Sequence, residues 1–472
     1  MMSNDYDVAV VGAGPGGYVA AIRGAQLGKK VLLIEKKKIG GVCTNWGCIP
    51  TKWLIHQSQL FSGIKENKNL EGPVDEIKMN LKKCQENKQR CVDSLVKGVE
   101  FLLEKNRVTV KKGEAVFQGP EEIVIEGKDR KEKVRVKKTI LATGSRPGSL
   151  PFIKVNGKEA LDSKQALDLT EVPRHLLVIG AGAVGLEIGC LFHRLGSRVT
   201  ILEIMPQILP GSDEESVKSL RRELKKQGLE ILTGMKIQES RIKEGMVILR
   251  GVSLQRNSSF EYSGEKVLMA AGRKPNSEKI KEGLPGLNLD EAGFVKVNEF
   301  METNMENIYA IGDLVGGKLL AHKASHEGTV AVENACGKRI KMDYRAVPLS
   351  VFTEPEYACV GLTEEEAREQ YIDDVCVGKF PLRACGRALT MGKAEGFVKI
   401  ITRKNGIILG AHILSHCASE MLPEVTMALK HGMKVSELAS VIHAHPTLSE
   451  SIRESALNVQ KKAIHILNLT HS

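Results

Sequence analysis

The chain has 472 residues, of which 42 % are hydrophobic, 26 % charged and only 4 % aromatic. This composition is globular, and the scarcity of aromatic side chains argues against a stacking surface for single-stranded nucleic acid. The formal net charge is +11, but basic and acidic residues are nearly balanced and spread along the chain. We therefore predict a solvated basic surface, with attraction to an acidic partner as the alternative, and no nucleic-acid partner.

Targeting signals and cysteine usage both indicate the cytoplasm. The N-terminus lacks the basic region of a secretory signal, and no uninterrupted apolar stretch reaches the roughly 18 residues that cross a membrane. The ten cysteines do not suggest a secreted disulfide framework in so long a chain. We predict a cytoplasmic protein with no membrane partner.

The first predicted unit is a nucleotide-binding fingerprint. A short apolar strand at residues 7–11 runs into the turn Gly12-Ala-Gly14-Pro-Gly-Gly17, followed by a helix and a second strand that ends at Glu35. In such a turn the first glycine permits the tight bend, the second lets the backbone approach a pyrophosphate, and the third lets helix and strand pack closely. The helix N-terminus stabilises the anion, and the acid accepts hydrogen bonds from the ribose hydroxyls.

A second copy of this unit follows later in the chain. A strand at residues 175–179 runs into Gly180-Ala-Gly182-Ala-Val-Gly185, and the next strand ends at Glu203. The interval from first glycine to acid is the same in both copies, from position 12 to 35 and from 180 to 203. No Arg or Lys stands just after Glu203 to neutralise a 2′-phosphate, so the second copy favours NAD over NADP.

A further duplication supports two bound dinucleotides. The segment Lys138-Thr-Ile-Leu-Ala-Thr-Gly-Ser-Arg-Pro147 resembles Lys266-Val-Leu-Met-Ala-Ala-Gly-Arg-Lys-Pro275. Each is an apolar strand that ends in small residues, as expected where the chain returns close to a nucleotide. We predict one tightly held redox cofactor and one exchanging cofactor.

Two cysteines lie just behind the first fingerprint. A disulfide needs Cα atoms within roughly 7 Å, whereas five residues of helix advance about 7.5 Å. Cys43 and Cys48 can therefore pair only if the backbone leaves the helical path, and Gly47 gives it that freedom. Pro50 fits the first turn of a helix beginning near Cys48, where the helix dipole would stabilise a thiolate. Two structural thiols are the alternative, and a zinc site lacks a second ligand pair.

At this point the sequence resembles the pyridine nucleotide-disulphide oxidoreductase family, from about residue 5 to about residue 459. Within the family it is similar to members that oxidise protein-bound dihydrolipoamide to lipoamide with FAD and NAD⁺. The segments that carry the resemblance are Gly40-Gly-Val-Cys43, Gly47-Cys-Ile-Pro-Thr-Lys52, Ala310-Ile-Gly-Asp313, Leu320-Ala-His-Lys-Ala324 and His443-Ala-His-Pro-Thr-Leu-Ser-Glu450.

The resemblance implies an α/β fold with two Rossmann-like dinucleotide-binding domains and a C-terminal α+β dimerisation domain. The FAD-binding domain would comprise residues 1–150 and 276–345, the NAD-binding domain residues 151–275, and the interface domain residues 346–472. The implied partners are a second copy in a homodimer and a lipoyl-bearing acyltransferase (E2) or H protein of a 2-oxo-acid dehydrogenase or glycine-cleavage complex.

The resemblance also implies the site residues, and no metal is expected. The catalytic set is Cys43, Cys48, His445, Glu450, Lys52 and Glu187. The FAD set is Gly12, Gly14, Gly17, Glu35, Lys52, Ala115, Thr143, Gly144, Asp313, Ala321 and His322. The NAD set is Gly180, Gly182, Gly185, Glu203, Ile237 and Gly272.

Each catalytic residue has an implied role. Cys43 would meet the substrate and Cys48 the flavin. His445 would act as acid and base in the partner subunit's active site, oriented by Glu450 and supported by His443. Lys52 would lie near the flavin N5, paired with Glu187. The pair His322 and His326 has metal-ligand spacing, but the first falls in a flavin-contact motif and we expect the second at the surface.

Other family members are the alternatives: a disulfide reductase of the glutathione or mercuric reductase type, or a redox-inactive structural subunit. Glu203 disfavours the NADPH-dependent glutathione type. The C-terminal residues 468–472 lack the vicinal cysteines of mercuric reductase. The chain departs from the family pattern at Trp46 and Trp53, which are bulky, and at Thr51, where Ser is common.

Overall fold

A computed structural model of the chain describes residues 4–468. Residues 1–3 and 469–472, which include most of the C-terminal tail considered above, lie outside the described residues. The chain forms two compact units. The first contains the residues up to 149, 162–171 and 271–343, and the second contains 150–161, 172–270 and the residues from 344 onward.

The strands and helices of the N-terminal third lie in the first unit. The strands are β1 (Asn4–Val11), β2 (Val31–Glu35), β3 (Thr109–Lys112), β4 (Glu114–Gly119), β5 (Glu122–Glu126), β6 (Lys131–Leu141) and β7 (Ser145–Pro147). The helices are α1 (Pro15–Gln26), α2 (Gly41–Trp46), α3 (Cys48–Glu66) and α4 (Leu81–Lys105).

The middle of the chain repeats this alternation of strand and helix. Its strands are β8 (Ala160–Leu161), β9 (His175–Ile179), β10 (Arg198–Glu203), β11 (Glu230–Thr233), β12 (Met235–Lys243), β13 (Met246–Ser253), β14 (Ser258–Gly264) and β15 (Lys266–Met269). Its helices are α5 (Ser163–Leu167), α6 (Ala183–Arg194) and α7 (Glu214–Lys226).

The remainder returns to the first unit and then completes the second. The strands are β16 (Arg273–Pro275), β17 (Ile308–Ala310), β18 (Leu349–Val351), β19 (Glu356–Gly361), β20 (Val375–Pro381), β21 (Phe397–Arg403) and β22 (Ile408–Ser415). The helices are α8 (Glu278–Gly283), α9 (Ala321–Ala335), α10 (Glu364–Tyr371), α11 (Gly386–Thr390), α12 (Ala418–Lys430), α13 (Val435–Ser440) and α14 (Glu450–Val459).

The first unit is built on a parallel sheet in the order β3-β2-β1-β6, with β17 also paired to β6. The antiparallel strands β4 and β5 extend the sheet along the other part of β6. Helix α1 packs closely on α9 because Gly16 and Gly24 carry no side chain where Ala324 and Val332 approach. The strands read as continuous apolar runs because both sheet faces are covered.

The second unit repeats that order. Five strands, β11-β10-β9-β15-β8, form a parallel sheet, and β12, β13 and β14 form an antiparallel ribbon. Strand β9 thus corresponds to β1 and β10 to β2, so the sequence duplication is also a duplication of topology. The same unit holds a five-stranded antiparallel sheet in the order β18-β19-β22-β21-β20, with α12 and α14 packed against it.

These sheets confirm the predicted α/β fold class, with two dinucleotide-binding units and a C-terminal α+β part. Among residues 4–468, the structure contains no helix that combines the length and apolarity needed to cross a bilayer.

Candidate active site

Cys43 and Cys48 form a disulfide, with Cα atoms 4.7 Å apart. Helix α2 ends at Trp46, and Gly47 has φ −130° and ψ −110°, outside the helical region, before α3 begins at Cys48. The prediction that the backbone leaves the helical path at Gly47 is therefore confirmed. The Thr51 hydroxyl donates to the Gly47 carbonyl at 2.6 Å, which holds this break in place.

The helix that carries Cys43 starts directly against the first fingerprint. The Gly40 amide donates to the Ala13 carbonyl at 2.8 Å. A Cβ at Gly41 would lie 2.6 Å from the Cα of Gly14, so only glycine permits this approach. Backbone contacts thus hold the disulfide beside the first fingerprint turn.

The first and third glycines of both fingerprints have the predicted roles. Gly12 and Gly180 have φ of +105° and +101°, a backbone region that side chains rarely adopt. A Cβ at Gly17 would overlap the carbonyl oxygen of Gly12, and one at Gly185 would overlap that of Gly180. Each helix therefore packs on its strand only because the third position is glycine.

The second glycines border open space. A Cβ at Gly14 or at Gly182 would meet no atom within 4 Å. Each residue is the N-cap of its helix and makes no side-chain cap, so the amides of the first turn lie next to open space, as binding of a pyrophosphate requires. Both sites thus meet the requirements of a bound dinucleotide.

The two acids brace the glycine turns as well as ending their strands. The Glu35 carboxylate accepts from the amides of Ala13 and Lys37, both at 2.7 Å. Glu203 accepts from Ala181 at 2.6 Å and from the amide two residues beyond itself at 2.8 Å. A carboxylate has about four acceptor sites, so each retains capacity for ribose hydroxyls. The sequence predicted the ribose role and missed this bracing of the turn.

Asn45 is a cofactor-site candidate that the sequence analysis missed. It lies between the two cysteines in the sequence and is buried. Its side-chain amide donates to the carbonyls of Ile39 at 2.8 Å and Gly41 at 3.0 Å. Its Oδ1 atom is buried with no hydrogen-bond partner among residues 4–468. A buried polar atom of this kind calls for a donor, and a ligand in the first unit would supply one.

The ends of the second pair of duplicated segments, which form β7 and β16, lie next to each other in the first unit. Strands β7 and β16 pair antiparallel, with the Gly148 amide donating to Gly272 and the Asn276 amide to Gly144, both at 2.9 Å. The Thr143 hydroxyl donates to the Asn276 carbonyl at 3.0 Å. The equivalent residues of the two copies are therefore related by a local two-fold arrangement that the sequence comparison did not foresee.

The remaining residues predicted to bind FAD also lie in the first unit. Asp313 follows β17, and Ala321 begins α9. His322 and His326 are both exposed on α9, as expected for His326. Ala115 lies on β4. The residue before this strand, Gly113, donates its amide to the Glu35 carbonyl at 3.0 Å. Within residues 4–468, His, Cys, Asp and Glu side chains form no group of three or more that could hold a metal ion.

The other predicted NAD and catalytic residues are divided between the units. In the second unit, Ile237 is partly buried on β12, and Glu187 is buried on α6, where it accepts from the Phe352 amide at 3.0 Å. In the first unit, Lys52 lies on α3 one turn after Cys48, on the same helix face. The pairing of Lys52 with Glu187 stays a prediction.

His445 and Glu450 form a hydrogen-bonded pair in the second unit. His445 Nδ1 lies 2.9 Å from Glu450 Oε1, and the Thr447 amide donates to Oε2 at 2.8 Å. Partial burial acts to raise the pKa of Glu450, but these two partners outweigh it and lower the pKa. His443 is paired separately, with its Nε2 2.9 Å from Glu424.

Comparison with known proteins matches this arrangement to one family. Residues 6–328 match the pyridine nucleotide-disulphide oxidoreductase model, and residues 347–456 match the dimerisation domain of that family. The chain belongs to the pyridine nucleotide-disulphide oxidoreductases.

Two relatives that match along nearly their whole length are dihydrolipoyl dehydrogenases. The protein from Thermus scotoductus is 46 % identical over 469 residues, covering 98 % of this chain and 99 % of the relative. The protein from Geobacillus stearothermophilus is 40 % identical, covering 98 % and 97 %. Among solved structures, LpdA from Mycobacterium tuberculosis has a TM-score of 0.87 at 26 % identity, covering 95 % of this chain and 99 % of that one. The flavoprotein disulfide reductase RclA from Escherichia coli has a TM-score of 0.84 at 28 % identity, covering 96 % of this chain and 99 % of that one.

Proposed function

We propose that the chain is a dihydrolipoyl dehydrogenase, which oxidises protein-bound dihydrolipoamide to lipoamide with NAD⁺ as the final acceptor. The observation that carries the proposal is the Cys43–Cys48 disulfide held against the first fingerprint turn. The identities of 46 % and 40 % to dihydrolipoyl dehydrogenases support this substrate over those of the glutathione and mercuric reductases.

We assign FAD to the first fingerprint and NAD to the second, with the residue sets named above. The assignment is supported by the disulfide and the unsatisfied Asn45 oxygen, which lie in the first unit. FAD, when bound, would carry two electrons from the thiol pair to the nicotinamide of NAD⁺. The corresponding domain division is residues 1–150 with 276–345 for FAD, 151–275 for NAD and 346–472 for the interface.

The cysteines perform a thiol–disulfide exchange. A substrate thiolate attacks the Cys43 sulfur, the Cys43–Cys48 bond breaks, and Cys48 leaves as a thiolate. The second substrate thiol then attacks the mixed disulfide, which releases lipoamide and leaves both cysteines reduced by two electrons. Cys48 is the better leaving group because it begins α3, where the helix dipole stabilises negative charge.

His445 is the base that deprotonates the substrate thiol, and Glu450 orients its ring. The His445 side chain is 78 % exposed, which suits a group that serves the disulfide of a second subunit. A homodimer is supported by the match of residues 347–456 to the dimerisation domain. Lys52 and Glu187 are the remaining members of the proposed catalytic set.

The lipoyl group would arrive on a lipoyl-bearing acyltransferase (E2) or on an H protein. A cytoplasmic location is supported by the eight cysteines outside the pair, which form no disulfide within residues 4–468: Cys84, Cys91, Cys190, Cys336, Cys359, Cys376, Cys385 and Cys417.

Anaerobic titration of the purified protein with dihydrolipoamide, followed by NAD⁺, tests the proposal. We expect one equivalent of dihydrolipoamide to reduce the protein, with a long-wavelength thiolate–flavin absorbance, and NAD⁺ then to yield NADH. A Cys48→Ser variant is expected to lose that absorbance and turnover while it retains FAD. Reduction by NADPH with no response to dihydrolipoamide would contradict the proposal.

A further inference from the structure

Ser145 holds the carboxylate of Asp313, although no motif gave Ser145 a role. Its hydroxyl donates to Asp313 Oδ2 at 2.5 Å. The two residues follow neighbouring parallel strands, since β6 ends at Leu141 and β17 at Ala310. The C-terminal edge of a parallel sheet is where nucleotide ligands bind. The hydrogen bond therefore lies where a bound cofactor would meet the sheet.

Arg273 in turn holds Ser145. Its Nε donates to the Ser145 hydroxyl at 2.6 Å, and its Nη2 donates to the Ser145 carbonyl at 2.9 Å. The Arg273 Nε also lies 3.6 Å from Asp313 Oδ2. The hydroxyl accepts from the guanidinium and donates to the carboxylate, so the donors and acceptors run in one direction from Arg273 to Asp313.

The pairing of β7 with β16 brings the Arg273 side chain within reach of Ser145. Arg273 follows Gly272 in the second duplicated segment, as Ser145 follows Gly144 in the first. Strands β7 and β16 pair antiparallel, with Arg273 opposite Pro147 and Pro275 opposite Ser145, and the Arg273 side chain extends to Ser145. The Arg273 side chain is 21 % exposed, whereas the next residue, Lys274, is exposed to solvent.

We propose that Arg273 is a positioning residue for FAD, which acts through Ser145 to orient the Asp313 carboxylate toward the ribityl–phosphate part of the cofactor. This inference rests on the proposed function, in which Asp313 contacts that part of FAD. A carboxylate beside the cofactor's phosphates experiences like-charge repulsion, and the Arg273 charge offsets it. The two donors of Arg273 leave the Ser145 hydroxyl proton for Asp313, so the carboxylate orientation is fixed before FAD binds.

A purely structural role for Arg273 makes a different prediction. If Arg273 only fastened β7 to β16, its loss would lower thermal stability and leave the affinity of the folded apoprotein for FAD unchanged. A positioning role changes that affinity and the flavin reduction potential. Arg273→Lys retains the charge without the planar fork, so it separates the charge from the geometry.

The test is FAD titration of the apoproteins, followed by fluorescence quenching, on wild type, Arg273→Met, Arg273→Lys, Ser145→Ala and Asp313→Asn. We expect the Kd for FAD to rise about tenfold or more in Arg273→Met and Ser145→Ala, and less in Arg273→Lys. The double variant Arg273→Met/Ser145→Ala should bind FAD no more weakly than the single variant with the higher Kd, because the two residues act on Asp313 through one path.

Lys274→Met is the matched control, since it removes an exposed cation from the same strand, and its Kd should stay within about twofold of wild type. If the wild-type apoprotein binds no FAD, the proposed function fails. If Asp313→Asn weakens FAD binding but Arg273→Met and Ser145→Ala do not, the positioning role is overturned. Ser145→Ala decides the matter if Arg273→Met does not fold, because it leaves the guanidinium in place.

Discussion

Glu450 contacts the His445 imidazole through one carboxylate oxygen and is itself held by the Thr447 amide through the other. Oε1 lies 2.9 Å from His445 Nδ1, and Oε2 accepts from the Thr447 amide at 2.8 Å. A carboxylate anchored in this way sets the ring orientation and tautomer, so that Nε2 is the nitrogen left for the proposed proton exchange with a thiol. The nearby pair of His443 Nε2 and Glu424 has the same 2.9 Å separation.

The two pairs allow a matched comparison. We expect Glu450→Gln to lower kcat for dihydrolipoamide oxidation about tenfold to a hundredfold, because the base is no longer correctly oriented. Glu424→Gln should have a much smaller effect. Steady-state assays with dihydrolipoamide and NAD⁺ measure this difference. NADH-driven reduction of an artificial acceptor, which needs no thiol deprotonation, should be unchanged in both variants. If kcat fell equally in the two variants, the assignment of His445 as the base would be wrong.

Substitutions at the third glycines, Gly17 and Gly185, should affect the two cofactors separately. A Cβ at Gly17 or Gly185 overlaps the carbonyl oxygen of the first glycine of its own turn, and such overpacking costs about 1–3 kcal/mol. We expect Gly17→Ala to be purified with little FAD. Gly185→Ala should retain FAD and raise the KM for NAD⁺ about tenfold or more.

Gly63→Ala is the control for this pair. Gly63 lies in the interior of α3, and a Cβ there would meet no atom within 4 Å. Alanine at such a position should keep both cofactors and slightly stabilise the protein. Loss of FAD from Gly185→Ala, with retention of FAD by Gly17→Ala, would reverse the cofactor assignment.

The parts of the fold and site that the sequence predicted depend on short-range patterns. The fingerprints with Glu35 and Glu203, and the break at Gly47, each follow from residues within about one strand–turn–helix unit. The chain from Arg273 through Ser145 to Asp313 could not be read in this way, because its members are 128 and 168 positions apart. The duplicated segments that contain two of these residues were visible, but the antiparallel pairing that brings them together is a tertiary fact.

Glu203 predicts the choice of nicotinamide cofactor. It is buried with 6 % exposure, and both its oxygens accept backbone hydrogen bonds, so a 2′-phosphate would face a fixed negative charge. We expect kcat/KM to favour NAD⁺ over NADP⁺, and Glu203→Gln to reduce that preference about tenfold while it also weakens NAD⁺ binding. Steady-state kinetics with both nucleotides measures the ratio.

Glu35→Gln provides the control, because it makes the equivalent change in the other fingerprint. It should weaken FAD retention and leave the ratio of kcat/KM for the two nicotinamide cofactors unchanged. A wild-type preference for NADP⁺, or a ratio that responds to Glu35→Gln instead of Glu203→Gln, would contradict this use of the second fingerprint.

Lys399 is the centre of a buried ionic cluster in the second unit. Its side chain is 1 % exposed, and Nζ lies 2.9 Å from Asp213, 3.2 Å from Glu215 and 2.7 Å from Glu364. Burial acts to raise the pKa of Asp213, but His412, Ser216 and Lys399 outweigh it and lower the pKa to about 2. Removing the cation leaves the buried Asp213 carboxylate uncompensated, so Lys399→Met should lower the free energy of unfolding by about 3–5 kcal/mol at neutral pH.

The sign of the pH dependence follows from the lowered pKa of Asp213. A carboxyl whose pKa is lower in the folded state stabilises the protein above its ordinary pKa of 3.8 and loses that stabilisation as the pH falls toward about 2. The difference in unfolding free energy between wild type and Lys399→Met should therefore narrow as the pH falls from neutral toward about 3, because the carboxylates of the variant protonate more readily. Urea unfolding of the holoproteins from neutral pH down to about pH 3 measures both curves.

Lys379→Met is the control: Lys379 pairs with Glu215 at the surface, and losing such a pair costs less than about 1 kcal/mol. Equal destabilisation by the two substitutions, or a difference that widens on acidification, would show that the cluster does not act through Lys399.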